Sequence, residues 1–343
     1  MRILLGMSGG VDSTYAAHLL SQEGYEVEGA VLVMSEHTDT GAALRSCEEI
    51  GIKLNIVDAT KEFEEYVVKD FINQYSLART PNPCVMCNRY VKIKLLCDYS
   101  KKNGFDKVAT GHYCNIYIKE ENLRYCIQMG NDLRKDQSYM LWQLTQEELA
   151  MLITPLSEKT KDQIYKGAKE MGFASADMKE SQEICFIPDN DYASFIEKRI
   201  GKFPQGDFID SEGNTVGRHK GIIHYTIGQR KGLGLAMKVP VFVTEIDPQA
   251  NTVKVEAAGN EMKKNFVADT LNFQLTEPPA KGETREGDFL VKIRYGAKPA
   301  KAHVIYTKEK AEVFFEEAQR AITPGQSSVF YVEDKVAFGG FIC

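Results

Sequence analysis

A doubly wound parallel α/β domain followed by two small β-rich domains is the fold class this sequence predicts, and three observations predict it. Strand-sized apolar runs alternate with helical patterns through the first half of the chain. The first of these runs, Arg2-Ile3-Leu4-Leu5-Gly6-Met7, feeds a glycine-serine loop and then an alanine- and leucine-rich segment, the order of a strand, a phosphate loop and a helix. After about Ile200 the texture changes to short alternating runs separated by Gly, Pro, Asp and Asn.

Taken in order, the opening strand is followed by a helix over 14–23, a buried strand over 27–34 and a helix over 40–50. A strand over 54–57 and a helix over 61–75 come next, then a helix over 87–102 and a strand over 107–111. Residues 116–118 and 125–127 suit a hairpin, and helical patterns resume over 146–151 and 162–171. The later runs, 241–243, 253–255, 289–293, 302–306, 311–315 and 328–332, read as small antiparallel sheets or barrels. Boundaries are expected near 200 and 269, giving domains 1–200, 201–268 and 269–343. Ligands on a doubly wound sheet bind beyond the carboxyl ends of its strands, where the loop, Met34 and Gly111 fall.

The loop Ser8-Gly9-Gly10-Val11-Asp12-Ser13 has the chemistry of an anion cradle. Adjacent glycines let the backbone approach a phosphate, Ser8 and Ser13 supply donors, and a helix start adds roughly half a positive charge. The Gly-Lys-Ser/Thr ending of an ordinary P-loop is missing. The loop resembles the SGGxDS motif of ATP pyrophosphatases, which cleave ATP between the α and β phosphates to adenylate an oxygen. Asp12 would repel phosphates unless a cation intervened, which points to Mg²⁺.

The chain has 343 residues, 43% hydrophobic and 26% charged, enough for more than one domain of an ordinary globular enzyme. Its longest apolar stretches are strand-sized, so a cytoplasmic protein with no membrane partner is expected. The formal charge of −6 argues weakly against nucleic acid, but the charge is uneven. Residues 213–244 hold no acid, while Arg218, Lys220, Arg230, Lys231 and Lys238 are basic and His219 and His224 sit among them. A second cationic stretch carries Arg89, Lys92, Lys94, Lys101, Lys102 and Lys107. Local patches of this kind, and not net charge, attract phosphate backbones; from charge alone, a solvated basic face is the better explanation of the two.

Eight scattered cysteines argue against a disulfide framework. Cys84 and Cys87 form a Cys-x-x-Cys inside Thr80-Pro81-Asn82-Pro83-Cys84-Val85-Met86-Cys87-Asn88-Arg89. With Cys87 near a helix start and Arg89 and Lys92 close by, a lowered thiol pKa is expected. Cys185, in Ile184-Cys185-Phe186-Ile187, has the apolar flank of an inert core cysteine.

These strings, with Thr110-Gly111-His112-Tyr113, Lys135-Asp136-Gln137-Ser138-Tyr139, Tyr225-Thr226-Ile227-Gly228-Gln229-Arg230-Lys231-Gly232, Ile293-Arg294-Tyr295-Gly296 and Pro324-Gly325-Gln326-Ser327, resemble the tRNA-specific 2-thiouridylase family nearly end to end. The resemblance implies a fold of the adenine nucleotide alpha-hydrolase or PP-loop ATPase type. It also implies ATP-dependent exchange of the 2-oxygen of the wobble uridine of tRNA for sulfur. By that resemblance Cys185 carries the sulfur as a persulfide and Cys87 resolves it. Gly6, Met7, Ser8, Gly9, Gly10, Val11, Asp12, Ser13, Met34 and Gly111 would hold ATP. His112, Lys135, Asp136, Gln137, Arg294, Tyr295 and Gln326 would touch tRNA, and a sulfur-donor protein is a further partner.

Cys84 departs from the family pattern, which often has aspartate there. The departure leaves a second route open, in which Cys84, Cys87 and Cys185 hold a [4Fe–4S] cluster or, with a fourth ligand, zinc. An amidating ligase with a similar phosphate loop is a more distant alternative, disfavoured by the cysteines.

Overall fold

The computed structural model describes residues 1–178, 184–187 and 189–343. Its first sheet is parallel throughout, in the order Leu54–Asp58, Glu26–Val33, Arg2–Gly6, Lys107–Ala109, Leu152–Ile153. Ile3, Leu4 and Leu5 are fully buried because helices cover both faces, which is why the opening run is continuously apolar. Strand order reverses between Arg2–Gly6 and Lys107–Ala109. That reversal opens a crevice at the ends of both strands, where the phosphate loop and Gly111 lie.

The helices follow their sequence signals closely. Val11–Gln22 starts three residues earlier than the pattern suggested, with Gly10 as its N-cap. Thr40–Ile50 is capped by the Asp39 carboxylate and stopped by Gly51 at φ 79°. The 60–76 and 83–103 segments each contain a π-helical turn, Glu64–Val68 and Asn88–Lys92, which the periodicity did not foretell.

The hairpin Cys114–Lys119 with Arg124–Met129 forms as expected, but it leaves the first sheet and joins the C-terminal one through Gln128 opposite Lys335. Side chains fix it there: the Ile127 amide donates to Gln274 Oε1, and Arg124 donates to the carbonyls of Phe273 and Gln274. The middle sheet runs Val241–Asp247, Thr252–Ala257, Gly206–Ile209, Thr215–His219. One of its pairings, Thr252–Ala257 with Gly206–Ile209, is parallel, where an antiparallel sheet was expected.

Six strands close a C-terminal barrel, because Met262–Phe273 pairs with both Lys310–Arg320 and Lys335–Ile342. Ala311, Val313 and Phe315 point inward while Glu312 and Phe314 point out, the period-two pattern of a barrel wall. Met262–Phe273 runs unbroken through 268 and 269, where a boundary was expected. The barrel is welded to the first domain by Trp142, which is fully buried and donates to Ser327 Oγ at 2.9 Å. Gly339 makes room for it, since a Cβ there would lie 2.5 Å from the indole.

Candidate active site

The site is built on the turn between Arg2–Gly6 and Val11–Gln22. Gly9 takes φ 78° and packs so closely on the helix Thr40–Ile50 that a Cβ would lie 2.5 Å from the Ala42 carbonyl carbon. No side chain caps Gly10, and the first helical amide to find a carbonyl is that of Thr14, bonded to Gly10. Among the described residues the amides of Val11, Asp12 and Ser13 find no carbonyl and can face an anion. Ser13 Oγ donates to the Gly10 carbonyl at 3.0 Å and accepts from the Ser8 amide at 3.2 Å, which fixes the loop's curl. Gly111 approaches the helix start closely, its absent Cβ only 3.2 Å from Ser13 N.

A cavity of about 320 Å³ opens over this turn. Of the residues expected to hold ATP, Gly6, Met7, Ser8, Asp12, Ser13, Met34 and Gly111 line it, whereas Gly9, Gly10 and Val11 shape the turn behind it. His112 and Gln137, expected to touch tRNA, line the same cavity. His112 Nδ1 is 2.8 Å from Thr110 Oγ1, and burial, reinforced by the Lys92 charge, pushes its imidazole down to about 3. It is a neutral ring at physiological pH.

Asp12 has a protein cation of its own. The buried Lys161 ammonium lies 2.7 and 2.8 Å from its two carboxylate oxygens, and the Tyr113 hydroxyl donates to it. The charge that pointed to Mg²⁺ is thus already compensated, and Asp12 as placed is not a dedicated metal ligand. Lys161 escaped sequence reading, because it sits 149 residues from its partner. The signal that could have found it is a lysine at the first position of a Thr160-capped helix, where the helix dipole disfavours a positive charge.

The thiols differ from their expected states. Asn82 is the N-cap, Pro83 occupies the first position, and the exposed Cys84 stands at the helix start expected for Cys87. Cys87 lies further along, only 5% exposed, with its Sγ 3.8 Å from Met34 Sδ at the cavity wall. Burial pushes its thiol up to about 12, the opposite of the depression expected, and Lys92 only partly offsets this. Cys185 is exposed, and its thiol is also raised, by desolvation against the pull of Lys92. The rest of its segment, 179–183 and 188, lies outside the described residues.

Lys92 joins the two halves of the site. It lines the phosphate cavity and feels Cys87, Cys84 and Cys185, with Cys87 the strongest influence holding its ammonium above the ordinary lysine range. In a regular α-helix residues five apart point roughly 140° away from each other. The π turn Asn88–Lys92 narrows that angle and so turns Lys92 nearer the Cys87 face. Among the described residues no three His, Cys, Asp or Glu side chains converge to hold a metal. Cys87 is buried while Cys84 and Cys185 are exposed.

The remaining expected contacts lie along the domain junction. Asp136 is buried, its carboxylate accepting from the amides of Gly130 and Ser138 and from Ser138 Oγ, so its side chain organises a turn and is not presented to RNA. Lys135 is half-buried beside it. Gln137 exchanges hydrogen bonds with the Tyr113 backbone. Tyr295 is exposed beside Arg294, whose guanidinium donates to the Ala321 carbonyl at 2.7 Å, and Lys292 lies 5.8 Å from both the Tyr139 and Tyr295 rings. Gln326 Nε2 donates to the Thr80 carbonyl at 2.7 Å.

The two basic stretches fare differently. Arg230, Lys231 and Lys238 are exposed around a concave loop. His219, by contrast, is buried and neutral: its Nδ1 accepts from the Gly221 amide, which leaves Nε2 to donate to the Asn251 carbonyl. In the second stretch Arg89 is paired with Glu148, Lys94 with Asp98 and Lys101 with Glu147, which compensates three of its six cations and leaves Lys102 exposed.

A parallel sheet with a phosphate-binding strand–loop–helix turn at its switch point, and the Cys87 thiol against Met34 of the same cavity, defines the class: an α/β enzyme acting on a nucleotide. Residues 1–189 match the family model described as the tRNA methyl transferase HUP domain, 193–257 its PRC-barrel domain and 263–342 the aminomethyltransferase beta-barrel domain. The tRNA-specific 2-thiouridylase MnmA of Clostridium botulinum (strain Alaska E43 / Type E3) is 43% identical over 357 residues, covering 99% of this chain and 97% of that one. That of Acetivibrio thermocellus is 41% identical over 363 residues, covering 99% of each. Among solved structures, a 4-thiouridine synthetase–RNA complex with bound ATP aligns at TM-score 0.36 and 19% identity, over 58% of this chain and 50% of that one. The chain belongs to the tRNA-specific 2-thiouridylase family.

Proposed function

We propose that this protein is a tRNA-uridine 2-sulfurtransferase that spends ATP to replace the 2-oxygen of the wobble uridine with sulfur. The observation that carries this reading is the shared cavity: phosphate-loop donors and Lys92, which sits among the thiols, line one space. The uracil 2-oxygen is a poor leaving group, so its attack on the ATP α-phosphate, with loss of pyrophosphate, converts it to one that departs as AMP. The loop amides and Ser8 would hold the phosphates, and an anticodon base can be extruded into the cavity at modest cost.

Sulfur arrives as a persulfide on Cys185, supplied by a donor protein. Its terminal sulfur bonds to C2 as the C–O bond breaks. Cys87 then attacks the Cys185 sulfur, a Cys87–Cys185 disulfide forms, and the bond to the transferred sulfur breaks, leaving 2-thiouridine. The sulfane sulfur gains the two electrons that the thiols lose, so an external dithiol must reduce the disulfide before the next turnover. ATP would enter as its magnesium complex, and no step is assigned to the metal. Among the described residues no helix is long and apolar enough to cross a membrane, and we place the reaction in the cytoplasm. The exposed loop around Arg230 would contact tRNA phosphates, and Arg294, Tyr295 and Gln326 would do so from the barrel.

Incubation with ATP, a persulfide donor and unmodified tRNA, followed by mass spectrometry of the nucleosides, should yield 2-thiouridine. Pyrophosphate exchange into ATP should require tRNA. A methylated base in place of the thiolated one, or exchange supported by free small acids, would overturn the reading.

A further inference from the structure

We propose that Thr80 is a positioning residue through which the two C-terminal β domains set the placement of the Cys84–Cys87 helix, so that RNA held on those domains governs presentation of the thiols. The inference rests on the thiolation reading above and goes beyond it, because it gives the β domains a part in the sulfur step as well as in RNA binding.

Thr80 is gripped from three directions. Its amide donates to the Pro324 carbonyl at 2.8 Å, and its carbonyl accepts from Gln326 Nε2 at 2.7 Å, both from one turn of the barrel. Its hydroxyl lies 3.3 Å from Thr226 Oγ1 of the middle domain. The barrel turn fits so closely that a Cβ on Gly325, at φ 86°, would lie 2.9 Å from Arg79 Cβ and 3.0 Å from Thr80 N. The middle domain is locked to the same barrel face, since Gly228 packs against Ala321.

The link from Thr80 to the thiols is short and stiff. Pro81 and Pro83 flank Asn82, each with φ fixed by its ring. Asn82 caps the helix by accepting from the Cys84 amide at 3.2 Å and donates to Met140 Sδ at 3.5 Å. On the other side Ala78 at φ 57° ends the helix Lys69–Ser76, and the Arg79 amide returns to the Gln74 carbonyl at 2.9 Å. Little slack chain therefore separates Thr80 from the start of the 83–103 helical segment that carries Cys84 and Cys87. The resting placement holds Cys87 against Met34, away from solvent, and Cys185 is among the groups whose charge it feels. Gln326, a proposed RNA contact, is also the side chain that holds Thr80.

The test compares wild type with Thr226→Val and Gly325→Ala in the full chain. Three rates are read: tRNA-dependent pyrophosphate exchange, single-turnover sulfur transfer from the persulfidated enzyme, and Cys87 alkylation with and without tRNA. Wild type should show a tRNA-dependent change in Cys87 alkylation. Both variants should lose that change and slow sulfur transfer by on the order of 10- to 100-fold, the scale of an ångström-sized misplacement, while exchange stays within about twofold. An unaltered tRNA effect on Cys87, no tRNA effect in wild type, or an equal fall in exchange and sulfur transfer overturns the proposal. Thr226→Val exchanges a hydroxyl for a methyl of the same size and guards against a folding failure of Gly325→Ala. A wild type that forms no 2-thiouridine would sink the functional reading instead.

Discussion

Burial decides the state of the residues that matter most here. Sequence proximity of Cys87 to Arg89 and Lys92 suggested an ionised thiol, but Arg89 is spent on Glu148 and the Cys87 side chain is enclosed, so desolvation prevails over the remaining charge. In the free enzyme, iodoacetamide at pH 7 to 9 should label Cys84 and Cys185 well before Cys87, whose rate should climb throughout that range because its thiol titrates near 12. Early, pH-independent labelling of Cys87 would contradict this. Asp12 was legible as an anomaly in the phosphate loop, yet its partner Lys161 was not, because no local pattern connects residues 149 positions apart. Lys161→Met should destabilise the fold by about 3 kcal/mol by leaving a half-buried carboxylate unpaired. Asp12→Asn in the same chain should recover part of the loss in denaturant melts. Additive losses would mean the pair is not coupled.

At the scale of single elements, what the sequence displayed best was local: a continuous apolar strand, adjacent glycines, and a helix beginning beside them. Thr40–Ile50 and Gln146–Met151 stand at their expected bounds because Asp39 and Thr145 cap them through side chains a few residues away. The π turn at Asn88–Lys92 was invisible, since its wider winding answers to tertiary packing around Cys87 and leaves no mark on the apolar spacing. Met262–Phe273 was missed for a related reason: its exposed Lys263, Lys264 and Asn265 hide a strand whose pairing lies with distant partners. Gly9 joins the phosphate loop to Thr40–Ile50 by close contact with Ala42 and by accepting from Ser46 Oγ at 3.4 Å. Gly9→Ala forces a left-handed backbone and a clash with Ala42, and should cost about 1–3 kcal/mol while abolishing most pyrophosphate exchange. Wild-type exchange in that variant would show that the loop tolerates a shift of the neighbouring helix.

Over the whole molecule, the net charge of −6 conceals a segregated surface. The helix-borne Lys94 and Lys101 pair with nearby acids, whereas Arg230, Lys231 and Lys238 stay exposed on the middle domain. Replacing those three with alanine should weaken tRNA binding and reduce the slope of log K against log salt by about 2. An unchanged slope would move the phosphate contacts elsewhere. Class and domain texture were readable from composition, but the docking of the Cys114–Met129 hairpin on the barrel was not, because strand runs do not name their partners.

Trp142, the chain's single tryptophan, is wholly enclosed where the first domain meets the barrel and bonded to Ser327. The protein therefore carries a built-in optical probe at its main seam. A blue-shifted emission is expected while the barrel is seated, and a red shift should accompany any opening that admits water to the indole, with no label attached.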